Sequence, residues 1–433
     1  MQEPLVSRDR FSEDIHDDAT LRLPGRRGVV TAGRPRNPRR KGALRGTRLL
    51  HGECSGRLGG WAVGEPAPAE FTARSIQVLR ASVNEELQGR GRESGDAYAQ
   101  AGVDISAGNA AVALYRARAA GWRHPNQLDA LGGFAGLFAY PTPDAESVLV
   151  GSADGVGTKI LVAAALRRYD TVGQDLVNHC VNDILVTNAT PLFFLDYLAV
   201  GALDAEMAGQ VVSGVHEACR RNNVALLGGE TAEMPGLYAP GHFDLAGTIV
   251  GTVRRAELPQ VESVSVGDAI IGLQTNGLQT NGYSLARKVI PESEWSARFD
   301  GATIGERLLA IHPSFFEPVR AMQRVARVKA MAHITGGGLL ENVPRTLRKG
   351  VQAVFDASAW SVPAIVAEVA HRAQLTHEEC YRTLNMGVGF TLIVPAEDAA
   401  VALAASSGAA LVGRIGARGE GEPAVVVHPR ATA

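Results

Sequence analysis

The stretch 151-GSADGVGTKILVA-163 hands a strand over to a helix and sets the reading of the chain around it. An apolar run ends at Asp154, glycines follow at Gly155 and Gly157, and Thr158 and Lys159 open a helical pattern. A strand, a glycine-rich turn and a helix form the unit of layered α/β proteins. Glycines let a backbone approach phosphate oxygens, and free N–H groups at a helix start favour anions. Lys159 would add a point charge for a phosphate. It is one of 5 lysines against 38 arginines, which makes a random surface choice less economical. A carboxylate cannot serve a phosphate directly, so Asp154 predicts a bridging Mg²⁺. The GxxxxGK[ST] spacing of a P-loop is absent. Taken alone, the stretch also fits an ordinary glycine-rich β–α turn.

The next segment adds chemistry. In 173-GQDLVNHCVNDILV-186, helical periodicity puts Asp175, Asn178, His179, Asn182 and Asp183 on one face. Val177, Cys180, Val181 and Ile184 lie opposite. A solvated face would carry Lys, Arg and Glu; short acids and amides suit ligand or metal contacts. Asp196, inside the apolar run 192-LFFLDYLAV-200, needs a cation or a hydrogen-bond partner if buried. In 227-LGGETAEMPG-236 a strand is expected to stop at Gly228 and Gly229, with Glu230 and Thr231 following. Asp154, Asp175, Asp183 and Glu230 are therefore expected to converge on one Mg²⁺–phosphate centre.

Beyond these, strands and helices alternate to about residue 258, including a helix over 204–223 and a strand over 243–253. A polar, Pro-containing stretch at 259–268 marks a boundary. A second alternating block follows, with helical pattern over 305–330 and a glycine run opening a helix near Leu339. With 433 residues, 45% hydrophobic and 20% charged, the chain has the mix of a globular protein of two or three domains. No apolar run reaches the ~18 residues of a membrane helix. A net charge of −2 argues against a general nucleic-acid or acidic-membrane trap. Cys54, Cys180, Cys219 and Cys380 lack metal-ligand spacing and read as reduced cytoplasmic thiols. Between Arg22 and Arg57 stand eleven basic residues and one acid, Glu53. Residues 1–95 are expected to be a disordered basic extension, since such a composition buries too little apolar surface.

The chain resembles the phosphoribosylformylglycinamidine cyclo-ligase (aminoimidazole ribonucleotide synthetase) family. The likeness rests on 101-AGVDISAGNAAV-112, 154-DGVGTK-159, 175-DLVNHCVND-183, 190-TPLFFLDYLA-199, 227-LGGETAEMPG-236, 280-TNGYSLARKV-289, 333-HITGGGLLENVPR-345 and 385-NMGVGF-390, in order. It covers about Ala101 to the C-terminus. The resemblance implies ATP- and Mg²⁺-dependent ring closure of formylglycinamidine ribonucleotide, through phosphoryl activation of its formyl oxygen, in purine biosynthesis. Another ATP-using kinase or synthetase of the same superfamily is the alternative. The implied fold is a ferredoxin-like N-terminal sheet domain (96–258) that binds ATP and forms a barrel across a homodimer, then a C-terminal α/β domain (259–433).

Carried over by position, Asp154, Asp183 and Glu230 would face the metal, and Asp154 and Lys159 would be catalytic. Asp104, Gly108, Asn109, Gly155, Gly157, Thr158, Asp175, Asn182, Gly228, Gly229, Glu230 and Thr231 would border the nucleotide. The 104–109 loop carries no lysine. His333 is a candidate acid/base. Asn281, Tyr283, Ser284 and the run Thr335, Gly336, Gly337 and Gly338 would face the substrate, the glycines holding its phosphate.

Overall fold

A computed structural model describes residues 126–128, 135–139 and 146–429. The loop through Asp104, Gly108 and Asn109 and the basic extension lie outside the described residues. Elements of the first block are β1 (Gly136–Ala139), β2 (Ser147–Gly155), α1 (Lys159–Leu166), α2 (Asp170–Leu185), β3 (Thr190–Val200), α3 (Ala205–Arg221), β4 (Ala225–Glu233) and β5 (Phe243–Arg254). The second block holds β6 (Ala269–Gln274), α4 (Tyr283–Val289), β7 (Arg298–Phe299), β8 (Ala302–Thr303), α5 (Ile304–Leu308), α6 (Phe316–Gln323), β9 (Ala330–His333) and α7 (Gly338–Asn342). It continues through β10 (Val351–Asp356), α8 (Ala364–Arg372), α9 (His377–Thr383), β11 (Val388–Val394), α10 (Ala399–Ala404), β12 (Ala409–Ala417) and β13 (Val425–His428).

The first sheet runs β1-β2-β5-β3-β4, with β3 and β4 parallel and the other pairs antiparallel. The second runs β13-β10-β12-β6-β11-β9 and is antiparallel except for β10 with β13. In β2, Val148 and Val150 are fully buried on the face that meets α2, while Leu149 alternates to the other side. That other side is open: Phe138, Leu195 and Tyr197 each stand more than a third exposed. α3 starts where the Asp204 carboxylate accepts from the N–H groups of Glu206 and Met207, and ends on Arg220 and Arg221.

α2 is buried from Thr171 to Leu185. Its apolar side packs on the first sheet and α3, and its polar side is covered by loops of the second block. α2 and α3 approach so closely that a Cβ at Gly214 would fall on the carbonyl oxygen of Asp170. Backbone cannot yield as a side chain can, so Gly214→Ala should cost about 2–3 kcal/mol. A urea midpoint unchanged from the parent would refute this close-packing account.

Two expectations about elements fail. The helical pattern over 305–330 is cut into α5 and α6 by the segment 309–315, and helix ends at Gln323, short of strand β9 at Ala330. Pro313 removes a backbone donor there, and the His312 N–H is taken by Asp175 of α2 at 2.7 Å. The strand expected to stop at Gly228 continues to Glu233 as the sheet's edge. The unbranched backbone of Gly229 lets Asp196 of β3 crowd against it. Among the described residues no helix is long and apolar enough to cross a membrane.

Candidate active site

β2 delivers Asp154 to the sheet's end on the α2 side, and α2 meets it with His179 and Asp183. Asp154 Oδ2 lies 2.8 Å from His179 Nε2, and Asp183 Oδ2 lies 3.6 Å from the same nitrogen. His179 is closed in on its other side by Thr280 Oγ1, 2.7 Å from Nδ1. Asp183 Oδ1 holds His333 Nδ1 at 2.8 Å, and Ser152 of β2 donates to its Oδ2. The Asp154 side chain is 43% exposed, while those of His179, Asp183 and His333 are buried. The cluster thus opens to solvent through Asp154.

Electrostatics follow from this placement. Burial opposes charge on His179, yet the Asp154 and Asp183 carboxylates outweigh it and push its pKa up to about 9. Burial also works against ionised Asp154, but His179 and the Gly155 N–H hold the carboxyl below its ordinary value. The clasped imidazolium stabilises the fold most below the unfolded value of about 6.5. That stabilisation is lost as pH rises through about 9. Urea unfolding between pH 6 and 9.5 should show the parent losing up to about 3 kcal/mol more than His179→Gln does. Parallel pH profiles for the two proteins would contradict the ion clasp.

Gly155 and Gly157 form the turn below Asp154, Gly157 with a left-handed φ of 69°, and Thr158 Oγ1 meets Ser284 Oγ at 3.2 Å. Lys159 does not reach toward a phosphate from this turn. Its ammonium is fully buried, 2.7 Å from Asp175 Oδ2, and donates to the carbonyls of Gln279 and Ala310. It also lies 5.4 Å from the Tyr283 ring centroid. Burial lowers the Lys159 pKa, and its pairing with Asp175 opposes that fall. Lys159 and Asp175 are thus an internal strut, correcting the phosphate-side and nucleotide roles expected of them. Asn182 is likewise committed: its Oδ1 accepts from Phe315 N–H, and its amide donates to Pro313 O. Tyr283 is buried and donates to Leu308 O at 2.5 Å, so it does not face a substrate.

Glu230 does not join the other acids within one chain. It pairs across the sheet with Tyr197, which pairs with Ala246, which pairs with Gly155. Three strand spacings, roughly 14 Å, separate it from β2. It also sits one register step from the Asp154–Gly247–Asp196–Gly229 rung, so it projects from the open face. Gly228, Gly229 and Thr231 are exposed on the same edge strand. The expected four-acid convergence therefore reduces to Asp154 with Asp183.

On the second sheet, β9 ends at His333 and the chain turns through Thr335, Gly336, Gly337 and Gly338. Gly337 and Gly338 take φ of 92° and 56°. A Cβ at Gly338 would strike Tyr381 O, so only glycine fits there. Asn342 clamps the turn by donating to the carbonyls of Gly336 and Gly338, and Gly336 packs beside Asn281. Asn281 and the glycine run are thus brought together. His333, the expected acid/base, is fully buried behind Asp183, with Nδ1 2.8 Å from its Oδ1.

Sequence reasoning missed His312. Its ring stands 3.2 Å from His333 Nε2 and 3.1 Å from Asn182 Nδ2, with Gln279 Nε2 at 3.2 Å. Burial, with His333 and His179 nearby, holds its pKa well below the ordinary histidine value. The one local signal is 311-IHP-313, a histidine before a proline inside an apolar helical pattern.

This fold and site define a class. Residues 135–253 match the family described as AIR synthase related protein, N-terminal domain, and residues 265–426 match its C-terminal domain. A phosphoribosylformylglycinamidine cyclo-ligase of Desulfitobacterium hafniense is 46% identical over 311 residues, which span 70% of this chain and 91% of that protein. One of Paraburkholderia phymatum is 44% identical over 339 residues, 77% and 96% of the two chains. The chain belongs to the phosphoribosylformylglycinamidine cyclo-ligase family. Among solved structures, the thiamine-monophosphate kinase of Stenotrophomonas maltophilia superposes with a TM-score of 0.50 at 21% identity, covering 73% of this chain and 95% of that one. Protein tt0281 of Thermus thermophilus gives 0.50 at 18% identity, with 73% and 97% covered. These two share the fold: two α+β domains with mixed sheets.

Proposed function

We propose that the protein closes formylglycinamidine ribonucleotide to aminoimidazole ribonucleotide, consuming ATP and releasing ADP and phosphate, in purine biosynthesis. The supporting observation is the solvent-open Asp154 carboxylate, backed by His179, Asp183 and His333, at a glycine turn. The relatives named above carry the same activity in their names. An amide oxygen leaves poorly, so the reaction needs that oxygen phosphorylated before the amidine nitrogen displaces it. Such chemistry asks a protein for positioning and charge neutralisation rather than a nucleophile.

Mg²⁺ suits the carboxylate pair: an oxygen of Asp154 and an oxygen of Asp183 lie within 4.8 Å of each other, beside the His179 ring. Asp154 and Asp183 would hold the ion, which supplies charge neutralisation to the phosphates when bound. The protein's own part is local. Asp154 takes the solvent-facing position, and His179 holds that carboxylate in place. The turn at Gly155–Thr158 brings backbone close to the nucleotide. The Asn281–Gly336 neighbourhood receives the substrate's ribose phosphate.

The protein acts as a homodimer in the cytoplasm. Phe138, Leu195 and Tyr197 on the first sheet's open face support a second copy closing a barrel with ferredoxin-like sheets. That packing would also cover the side from which Glu230 projects. Residues 96–258 form the nucleotide and dimer domain, and 259–433 the second domain. No nucleic-acid or membrane partner is part of this reading.

The test is a coupled assay with MgATP and formylglycinamidine ribonucleotide, following ADP and the aromatic amine product. One ADP per amine is expected. ADP release that ignores the ribonucleotide, or that follows thiamine monophosphate, would overturn the assignment.

A further inference from the structure

The second sheet carries a cavity that the candidate active site does not use. It measures about 600 Å³ and lies where β10 and β13 end beside β12. β9, which ends at His333, stands four strand spacings from β10 in the same sheet, roughly 19 Å. Ligand pockets run from about 300 to 1,000 Å³ and are mostly apolar, with a few placed polar groups.

A break in the ladder opens it. β10 and β12 pair from Val351 with Ala417 to Phe355 with Gly413, and no further. The register of β12 with β6 shifts between Leu411 and Gly413, which makes Val412 the extra residue of a bulge. A bulged strand bends, and the pairing with β10 ends at that place. Leu411 stands 48% exposed at the cavity, and Val354 and Ala359 add to its apolar wall.

Two charges of opposite sign line this cavity without meeting. Val354 and Asp356 alternate to the side of β10 opposite buried Ala353 and Phe355. Arg414 pairs with Val354, so it stands on that side too, diagonal to Asp356 at about 7–8 Å. Among the described residues no ion pair joins the two, and the Arg414 guanidinium has no partner. Asp356 Oδ1 accepts from the Ser358 N–H at 2.9 Å and the Ser358 hydroxyl at 2.6 Å; among the described residues Oδ2 accepts nothing. The Ser358 donors, with His428 nearby, hold the carboxyl below its ordinary value, so it is ionised at neutral pH.

A simple anion would be repelled by Asp356, and a simple cation by Arg414. One molecule carrying both charges satisfies both side chains. An α-amino acid holds its ammonium and carboxylate on a single carbon. With a charge-assisted hydrogen bond of about 2.7–2.9 Å at each end, it bridges two side chains set this far apart. Its own side chain then lies on Leu411, Val354 and Ala359, which favours an apolar one, and the cavity has room for an aromatic ring. We infer that this cavity binds an α-amino acid with a large apolar side chain, its carboxylate on Arg414 and its ammonium on Asp356. The ligand fills the gap that the bulge leaves between β10 and β12.

The test is calorimetric titration of the full chain with L-phenylalanine and with two truncated relatives. Phenethylamine lacks the carboxylate, and hydrocinnamate lacks the ammonium. Phenylalanine should bind at millimolar concentration or below. Each truncated compound should bind roughly tenfold more weakly or worse, the loss expected of one hydrogen bond to a charged group. Arg414→Gln and Asp356→Asn should each weaken phenylalanine to the same degree. Both side chains are exposed, and asparagine keeps an acceptor for Ser358. Saturating MgATP should leave the binding in place. No binding of phenylalanine, equal binding of either truncated compound, displacement by MgATP, or undiminished binding in either folded variant would each overturn the inference. The comparison of compounds needs only the parent chain, so it decides the matter even where a variant misfolds. None of these readouts involves turnover, so the result stands apart from the cyclo-ligase assignment.

Discussion

Asp154→Asn should lower turnover about a thousand-fold while the protein still folds. The change removes one formal charge and almost no volume, and the side chain is 43% exposed, so packing is barely touched. What disappears is the solvent-open carboxylate that the proposal gives to the metal and phosphates. Losing one well-placed electrostatic contact costs about 10²–10³ in rate, and losing a metal ligand falls at the severe end. The pH dependence should change too. His179 owes its raised pKa to Asp154 and Asp183, with burial working against it, so the ring should titrate lower in the variant. NMR of the histidine ring against pH checks this half; steady-state ADP release checks the other. Near-parental turnover would remove Asp154 from the chemistry, whatever the ring does.

Lys159→Met should cost about 3–5 kcal/mol of stability. The substitution leaves Asp175 fully buried beside an apolar chain, with only the His312 N–H still bonded to its Oδ1. Breaking one partner of a buried pair is more damaging than removing both. The double variant Lys159→Met, Asp175→Asn should therefore recover much of the loss, since asparagine keeps an acceptor for His312. Urea midpoints of the parent, single and double variants form the cycle that measures the coupling. A single variant as stable as the parent would deny the strut. A double variant no better than the single would place the cost in lost packing around Tyr283 instead.

Much of the first block was legible because its information is periodic. The wheel over 173–186 placed His179 and Asp183 on one face, and the structure turns that face to the second block. The strand-to-helix handover at Asp154 was legible because apolar alternation and glycines act over a few residues. Lys159 was misread for a physical reason. Sequence locates its Cα at a helix start, but a four-carbon stem can carry the ammonium inward as easily as outward. Asn182 and Tyr283 were misread likewise: polarity showed that they bind something, not that the partner is the chain's own loop. Glu230 was placed by its glycines, which were read as a strand end and prove to be the relief an edge strand needs beside Asp196. His312 lies 133 residues beyond His179, and no local pattern announces a contact across that distance. The stops at 309–315 were hidden because the flanking helices share one continuous apolar rhythm.

The polar side of α2 has one further consequence. Asp175, Asn178, His179, Asn182 and Asp183 each grip the loops or strand beyond it, so a single helix rivets the two sheets together over its length. Prising the sheets apart like a clamshell would sever all five attachments in one stroke. Hinging one sheet away from the other is therefore opposed by polar attachments spread over two turns of one helix, with no single latch to release.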